Sequence, residues 1–484
     1  MRHSAIWRIL FTLALISASS SSAWAQPIEG DPPEDALAPA PAPEPAYVPA
    51  PAPEPEPAPA PAPAAEEEGG VGLVPTASMW TRFENRSGYD RIFGADAGPR
   101  RVDEDVLYYR ARFGLQTTPL SIADGLEAVV RFVPQASGFW NGAGGLRDGE
   151  LSIHEGLLQV HHDAFRLDIG RFEMAYGEHF IIGNVGWHQT ARSFDAVRAH
   201  LTMIDGMWID VFASWLMEAD SRDPMSGSRM IDSPDLFTGD VVFAGIYAGL
   251  GGLIDEGMDL DAYLLTVMQM GGDVYNDPTD LTAGTTNYEG TSLYTLGVRA
   301  KGKVSMLNYR AEAGLQFGSL GPIGPMGADV SIMAYQIDAE IGVGLLDGDL
   351  SLSIEGFLAS GDDPTTANDL EGWNQLFPTA HKWLGFSDII GGRTNIMGGV
   401  LHAKFKALEA LTLSLDTHLF MRPQEVGAPG TDGYAGTEFD LGANYAFGRG
   451  LGLRAGYALF LPSDTIYGIS DPAHFFELQF GFTL

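Results

Sequence analysis

Basic side chains recur at every second position in several short stretches: Arg110 and Arg112; Arg299, Lys301 and Lys303; Lys404 and Lys406. On a β-strand a period of two sends such residues to one face, and a row of cations facing water can select anions. The same parity argument adds Arg131, Arg166, Arg192, Arg198, Arg310 and Arg454 to that face. Glu127, Asp168, Glu312, Asp338, Glu340, Glu355, Asp416, Glu438, Asp440 and Glu477 share it. Opposite charges pairing across neighbouring strands therefore compete with anion binding as the role of these groups.

Catalytic constellations do not emerge. There is no Gly-x-Ser-x-Gly, no His-Glu-x-x-His and no phosphate-cradling glycine loop. His161-His162-Asp163 falls where a two-residue hairpin turn is needed, and Asp362-Asp363 and Asp347-Gly348-Asp349 lack the ligand spacing of a calcium loop. The absence of cysteine excludes thiol catalysis, disulfides and thiolate metal sites. The reading is of a chain that is not an enzyme and needs no cofactor or metal.

The elements that must position the charges are strands. Near the end, Phe476, Leu478, Phe480, Phe482 and Leu484 share one parity, with Glu477, Gln479, Gly481 and Thr483 on the other. An apolar face backed by a charged or glycine-rich one suits lipid outside and water inside. Eighteen such runs follow from about residue 76: 77–87, 102–117, 126–139, 151–162, 164–174, 190–201, 206–219, 239–250, 258–271, 292–303, 305–318, 329–344, 349–360, 394–406, 410–421, 436–447, 451–461 and 473–484. Each is long enough to cross a bilayer at a tilt, whereas strands of soluble sheets average about 5–6 residues. Short turns such as His162-Asp163 and Gly448-Arg449-Gly450 alternate with long links at 175–189, 220–238, 272–291 and 361–393, read here as external loops. This pattern predicts an all-β, transmembrane antiparallel barrel of 18 strands, with both termini in the periplasm. Its environment is the lipid bilayer.

The N-terminus adds an address. Arg2 and Arg8 precede or flank a short apolar core from Ile9 to Ile16, and Ala23-Trp24-Ala25 offers small residues for a signal peptidase. Residues 1–25 read as a signal peptide, so the mature chain should begin at Gln26, in the cell outer membrane. Residues 26–75 form a Pro/Ala/Glu-rich periplasmic linker, and 76–484 the barrel. Proline alternating with alanine or glutamate favours disordered, extended polyproline II. Residues 26–69 carry ten acidic groups and no basic ones; they serve as a spacer or as a tether to peptidoglycan or a periplasmic partner. With a formal net charge of −35 the chain lacks the basic footprint of a nucleic-acid binder.

Two stretches carry more than patterning. One is Gly170-Arg171-Phe172-Glu173 followed by Gly183-Asn184-Val185-Gly186-Trp187-His188-Gln189-Thr190-Ala191-Arg192-Ser193-Phe194-Asp195-Ala196-Val197-Arg198. The other runs from Ser360-Gly361-Asp362-Asp363 through Trp373-Asn374-Gln375-Leu376-Phe377-Pro378-Thr379-Ala380-His381-Lys382-Trp383-Leu384-Gly385-Phe386-Ser387-Asp388 to Arg393-Thr394-Asn395-Ile396. Both resemble the alginate-export family of outer-membrane proteins, and the likeness covers roughly residues 76 to 484. The second stretch is the more specific, through Pro378, His381, Lys382, Gly385 and Asp388. The resemblance implies an eighteen-stranded barrel passing a polyanionic polysaccharide, with Arg192 and Arg198 at a constriction and Asp195 nearby. By parity Asp195 falls with the lipid face, so it lies beyond the membrane edge or a bulge shifts the register.

The functional expectation is a passive channel for anionic or polysaccharide-like, sugar-like solutes through an Arg/Lys-lined pore. A non-conducting barrel acting as a surface adhesin or structural anchor is the alternative. The barrel region keeps 53 acidic against 26 basic residues, much of the excess in links such as 255–261, 273–280 and 361–371, which argues against alginate itself as the solute.

Overall fold

The computed structural model describes residues 71–94, 100–140, 149–217, 240–254, 257–270, 292–320, 330–363, 365–366, 368–426 and 430–484. The signal peptide, nearly all of the linker and the links 220–238 and 272–291 lie outside the described residues.

Alternating polarity produces twenty strands among the described residues. The first ten are β1 (Leu73–Ser87), β2 (Glu104–Thr117), β3 (Leu120–Ala123), β4 (Leu126–Phe139), β5 (Gly149–His162), β6 (Phe165–Phe172), β7 (Phe194–Ile204), β8 (Met207–Met217), β9 (Asp240–Gly249) and β10 (Met258–Met270). They are followed by β11 (Ser292–Val304), β12 (Leu307–Leu320), β13 (Val330–Leu345), β14 (Leu350–Ala359), β15 (Asp369–Leu370), β16 (Ile396–Leu408), β17 (Leu411–Arg422), β18 (Gly433–Gly448), β19 (Leu451–Pro462) and β20 (Ala473–Thr483). β3 pairs with β4 alone, and the two-residue β15 pairs parallel with β13. The other eighteen form one antiparallel cycle, which β1 and β20 close with Ser78 opposite Thr483 and Ser87 opposite His474. No edge is left open, as a wall in lipid requires. The eighteen-stranded barrel expected from the alternation is the architecture observed. β1 begins at Leu73, inside the stretch read as linker, because Leu73 to Pro75 continue the ladder with β2.

Burial follows the inverse of a soluble protein. On β13, Met333, Tyr335, Ile337 and Ile341 are exposed while Gln336 and Asp338 are buried. On β20, Phe476, Leu478 and Phe480 face out while Glu477 and Gln479 are enclosed. Apolar side chains thus meet lipid, and charges avoid the roughly 2–4 kcal/mol that Arg or Lys would cost at the midplane. Pro134, which cannot donate to a ladder, sits where β4 shifts register against β5, a position that tolerates it.

Two of the links read as external loops fold differently. Residues 173–193 and 372–395 turn back into the barrel and pack against its lumenal face. Their apolar side chains explain this: Phe180, Ile182, Trp373, Phe377, Trp383 and Leu384 are buried together, and burying them inside the barrel removes more apolar area from water than exposed loops could.

Candidate functional site

The two inner segments join in the lumen. Ile182 and Phe377 form a parallel bridge. Around it the main-chain N–H of Gly183 donates to the Phe377 carbonyl at 2.8 Å, Phe377 to Ile181 at 2.9 Å and Thr379 to His179 at 2.9 Å. Arg192 clamps the junction: its Nη1 donates to the carbonyls of Gly183 at 2.9 Å, Pro378 at 3.1 Å and Phe377. The guanidinium is buried, which draws its pKa down to about 9.

The second segment's motif residues are seated in the same place. His381 pairs with Asp388 at 2.9 Å and stacks on Trp187, ring centroids 3.7 Å apart. The Trp187 indole N–H donates to Glu477 at 3.1 Å, and Arg82 lies over its ring at 4.1 Å. Lys382 lies 4.0 Å from Glu178 and over the Trp383 ring. Gly385 has φ +87°, and any side chain there would meet the Glu438 carboxylate. Burial raises the Asp388 carboxyl, but His381 beside it and the cations Arg100 and Arg86 outweigh that and hold it below its usual range.

The wall cations divide by what they touch. Arg110 donates to the carbonyls of Gly186 and His188, and Arg112 to Gln135 and Glu173. Arg198 pairs with Asp168 at 2.6 Å, Arg454 with Glu477 at 2.6 Å, and Arg299 with Asp261 at 2.7 Å and Glu178 at 2.8 Å. Arg310 binds Asp338, Glu340 and Glu355. More open are Arg131, on Glu155 at 2.6 Å, Arg166, on Asp168 at 3.1 Å, and Lys301, on Glu178 at 2.7 Å. Lys303 and Lys406 are exposed and Lys404 half-exposed near the short-turn ends of β11 and β16. Asp195 pairs with Arg171 on the outer face at the long-loop end of β7, with unbroken register to β6, so no bulge turns it inward.

Charge also fixes the inner segments to each other. Burial would raise the Glu178 carboxyl, yet Lys301, Lys382 and the hydrogen bond from Arg299 hold it at about 2. Glu173 is likewise held at about 2, against the effect of burial, by the hydrogen bond with His154 and by the Arg112 charge. Among the described residues no group of three His, Asp or Glu is placed to hold a metal ion.

Sequence patterning assigns no role to Glu178 or Gln316, and Trp187 and Arg393 enter it only as members of the two family-like stretches. Arg393 reaches Asp338 at 2.7 Å and Gln316 donates to the Asn374 carbonyl at 2.6 Å. These contacts need the return of the segments into the lumen, and strand alternation carries no signal for that.

Both inner segments lie within residues 156–471, which match the family described as alginate export. The chain belongs to the alginate export family. No curated protein sequence matches it. Solved structures share its fold at low identity. The BenF-like porin of Pseudomonas fluorescens Pf-5 is 10% identical, with 85% of this chain and 98% of that one covered and a TM-score of 0.57. OccK1 (OpdK) of Pseudomonas aeruginosa is 12% identical over 85% and 98%, TM-score 0.56. OccAB2 of Acinetobacter baumannii is 10% identical over 85% and 98%, TM-score 0.56. The family is thus alginate export, and the fold is one shared with the BenF-like porin and these other outer-membrane barrels.

Proposed function

We propose that this barrel is a passive outer-membrane channel for anionic or sugar-like solutes, drawn from the periplasm along an Arg/Lys-lined wall, and that it has no catalytic role. The observation that carries the reading is where the more accessible cations lie. Arg131, Arg166, Lys301, Lys303, Lys404 and Lys406 all stand towards the short-turn, periplasmic ends of β4, β6, β11 and β16. Charges spread around one mouth raise the local concentration of anions. External loop acids act through salt water, where the Debye length is about 8 Å, so they influence the solute less. Arg198, partly open beside Asp168, and the Arg192 junction stand deeper, at the proposed narrowest part.

The test is the reversal potential of single channels in a salt gradient. Anion preference is expected, and replacing Lys303, Lys404 and Lys406 with glutamate should move it towards cations, as should Arg192 and Arg198 together. Replacing Asp273 and Asp277 should change it much less. Unmoved potentials in the lysine variant would refute the lining.

One observation favours a second reading: the apolar side chains of the inner segments are buried together inside the barrel. A barrel sealed by it would be an anchor or adhesin, silent in planar bilayers at any voltage. In either reading we assign residues 1–25 to a cleaved signal peptide and 26–75 to a periplasmic linker; the intact mass of outer-membrane material should begin at Gln26.

A further inference from the structure

A cavity of about 400 Å³ opens at the periplasmic mouth, between the β7–β8 turn and the β9–β10 link. Trp208, Thr202, Asp205, Asp259 and Asp261 line it. The half-exposed Trp208 indole lies nearly parallel to the rings of Tyr247, at 5.7 Å and 10°, and Tyr176, at 6.3 Å and 17°. Tyr247 stacks in turn on Tyr263 at 5.4 Å and 11°.

The three tyrosines are buried, and their hydroxyls donate to Asp210, Asp261 and Glu312 at 2.6, 2.8 and 2.9 Å. Those bonds fix the tyrosines, and the tyrosines fix the indole. Gly249 faces Trp208 across the ladder, and a methyl group there would overlap the indole. The result is a rigid apolar plate at the edge of a wet cavity, rimmed by carboxylates.

This combination suits one solute chemistry. A pyranose ring has a face of C–H groups, which can lie on an aromatic ring, and an edge of hydroxyls, which can donate to carboxylates in charge-assisted bonds. The volume falls in the range of small-molecule sites, roughly 300–1,000 Å³. A uronate would bring its own negative charge towards Asp205, Asp259 and Asp261, where one guanidinium, Arg299, is already shared among Asp261, Glu178 and Asp259 at 2.7, 2.8 and 3.4 Å and Lys301 is engaged by Glu178. Like charges brought together are a means of rejection.

We propose that this cavity is a binding subsite for a neutral pyranose ring, stacked on Trp208 with its hydroxyls on Asp205 and Asp259. The proposal rests on the channel reading only for the arrival of saccharide from the periplasm.

Calorimetry on the full detergent-solubilised barrel tests it with three probes: maltotriose, a mannuronate trimer and a glucosamine trimer. Maltotriose should bind the wild type, about tenfold more weakly after Trp208→Ala, the upper end of what one aromatic contact is worth. Trp208→Phe should retain most of the affinity. Gly249→Ala, which displaces the indole without removing it, should weaken binding too. The mannuronate trimer should bind poorly whether or not Trp208 is present. Maltotriose binding that is absent, or unchanged in Trp208→Ala, overturns the proposal. Binding of the glucosamine trimer alone also overturns it, because the carboxylates and not the ring would then make the site. If Trp208→Ala fails to fold, judged by migration before and after boiling, the Trp208→Phe and Gly249→Ala pair decides. No current is needed, so a barrel that binds sugar yet conducts nothing breaks the channel reading alone, and one that conducts without binding breaks only this one.

Discussion

Two arcs of the wall hold the inner segments by opposite chemistry. On β1 and β2, Arg82 and Arg110 donate to the main-chain carbonyls of Trp187 and Gly186 at 2.7 and 2.5 Å. On β18, Glu438 and Asp440 accept from the main-chain N–H groups of Ser387 and Phe386 at 2.8 and 3.1 Å. The first segment offers carbonyls and meets guanidinium; the second offers N–H groups and meets carboxylate. Buried main-chain groups must find partners, and in a lumen without a second sheet the wall side chains supply them. A lumenal charge is therefore not automatically a solute contact.

The comparison breaks most severely on its acidic side. Replacing Glu438 and Asp440 together with alanine leaves the Ser387 and Phe386 donors unpaired, at a cost of roughly 3–5 kcal/mol. Urea unfolding should show the loss, and single-channel conductance should rise severalfold as the second segment leaves the lumen. Unchanged conductance would mean that this arc does not seat the segment.

Arg192→Ala strikes the junction between the two. Carbonyls of both segments lose a charged donor, worth roughly 2–3 kcal/mol, so flickering between conductance levels should replace a steady open level.

Acid should act more gently. Because Glu178 is held at about 2 in the folded barrel, below its ordinary 4.5, its stabilisation is complete above pH 4.5 and is lost as pH falls towards 2. Gating events should multiply over that window, and Glu178→Gln should show them already at neutral pH. The smallest effect belongs to Asp195→Asn. Its exposed pair with Arg171 is worth under about 1 kcal/mol, so neither the unfolding midpoint nor the conductance should move measurably.

Strand alternation was a sufficient guide to the wall because it reports facing, and facing is set by lipid. Arg131 and Arg198 meet Glu155 and Asp168, acidic residues of the neighbouring strands. Alternation failed at Arg192: residues 190–193 continue the polar–apolar rhythm of β7, yet the strand starts at Phe194. There Arg192 donates its main-chain N–H to Asn184 and its side chain to three carbonyls, and satisfying those groups outweighs two more ladder bonds. The inner segments were recognisable by sequence as unusual, through Trp187, Pro378 and His381, but not by depth. Nothing in a linear pattern distinguishes a loop that covers a mouth from one that descends through it.

The pairing of β1 with β20 has a bearing on biogenesis. Every other long strand meets the neighbour that precedes it in the chain within a hairpin or across one link, whereas Ser78 must wait for Thr483. Such a contact joins the first and last strands of the barrel, and it closes the longest loop of any of its strand pairings. Seventeen hairpin pairings can therefore zip early and cheaply, but the cylinder exists only when the final strand arrives. A chain shortened by that one strand would present the bare edges of β1 and β19 to lipid, where unpaired main-chain groups are not tolerated. Proofreading is thus inherent in the geometry: a barrel lacking β20 is left as an unfinished ribbon for proteases, and only one that has made it becomes a sealed wall.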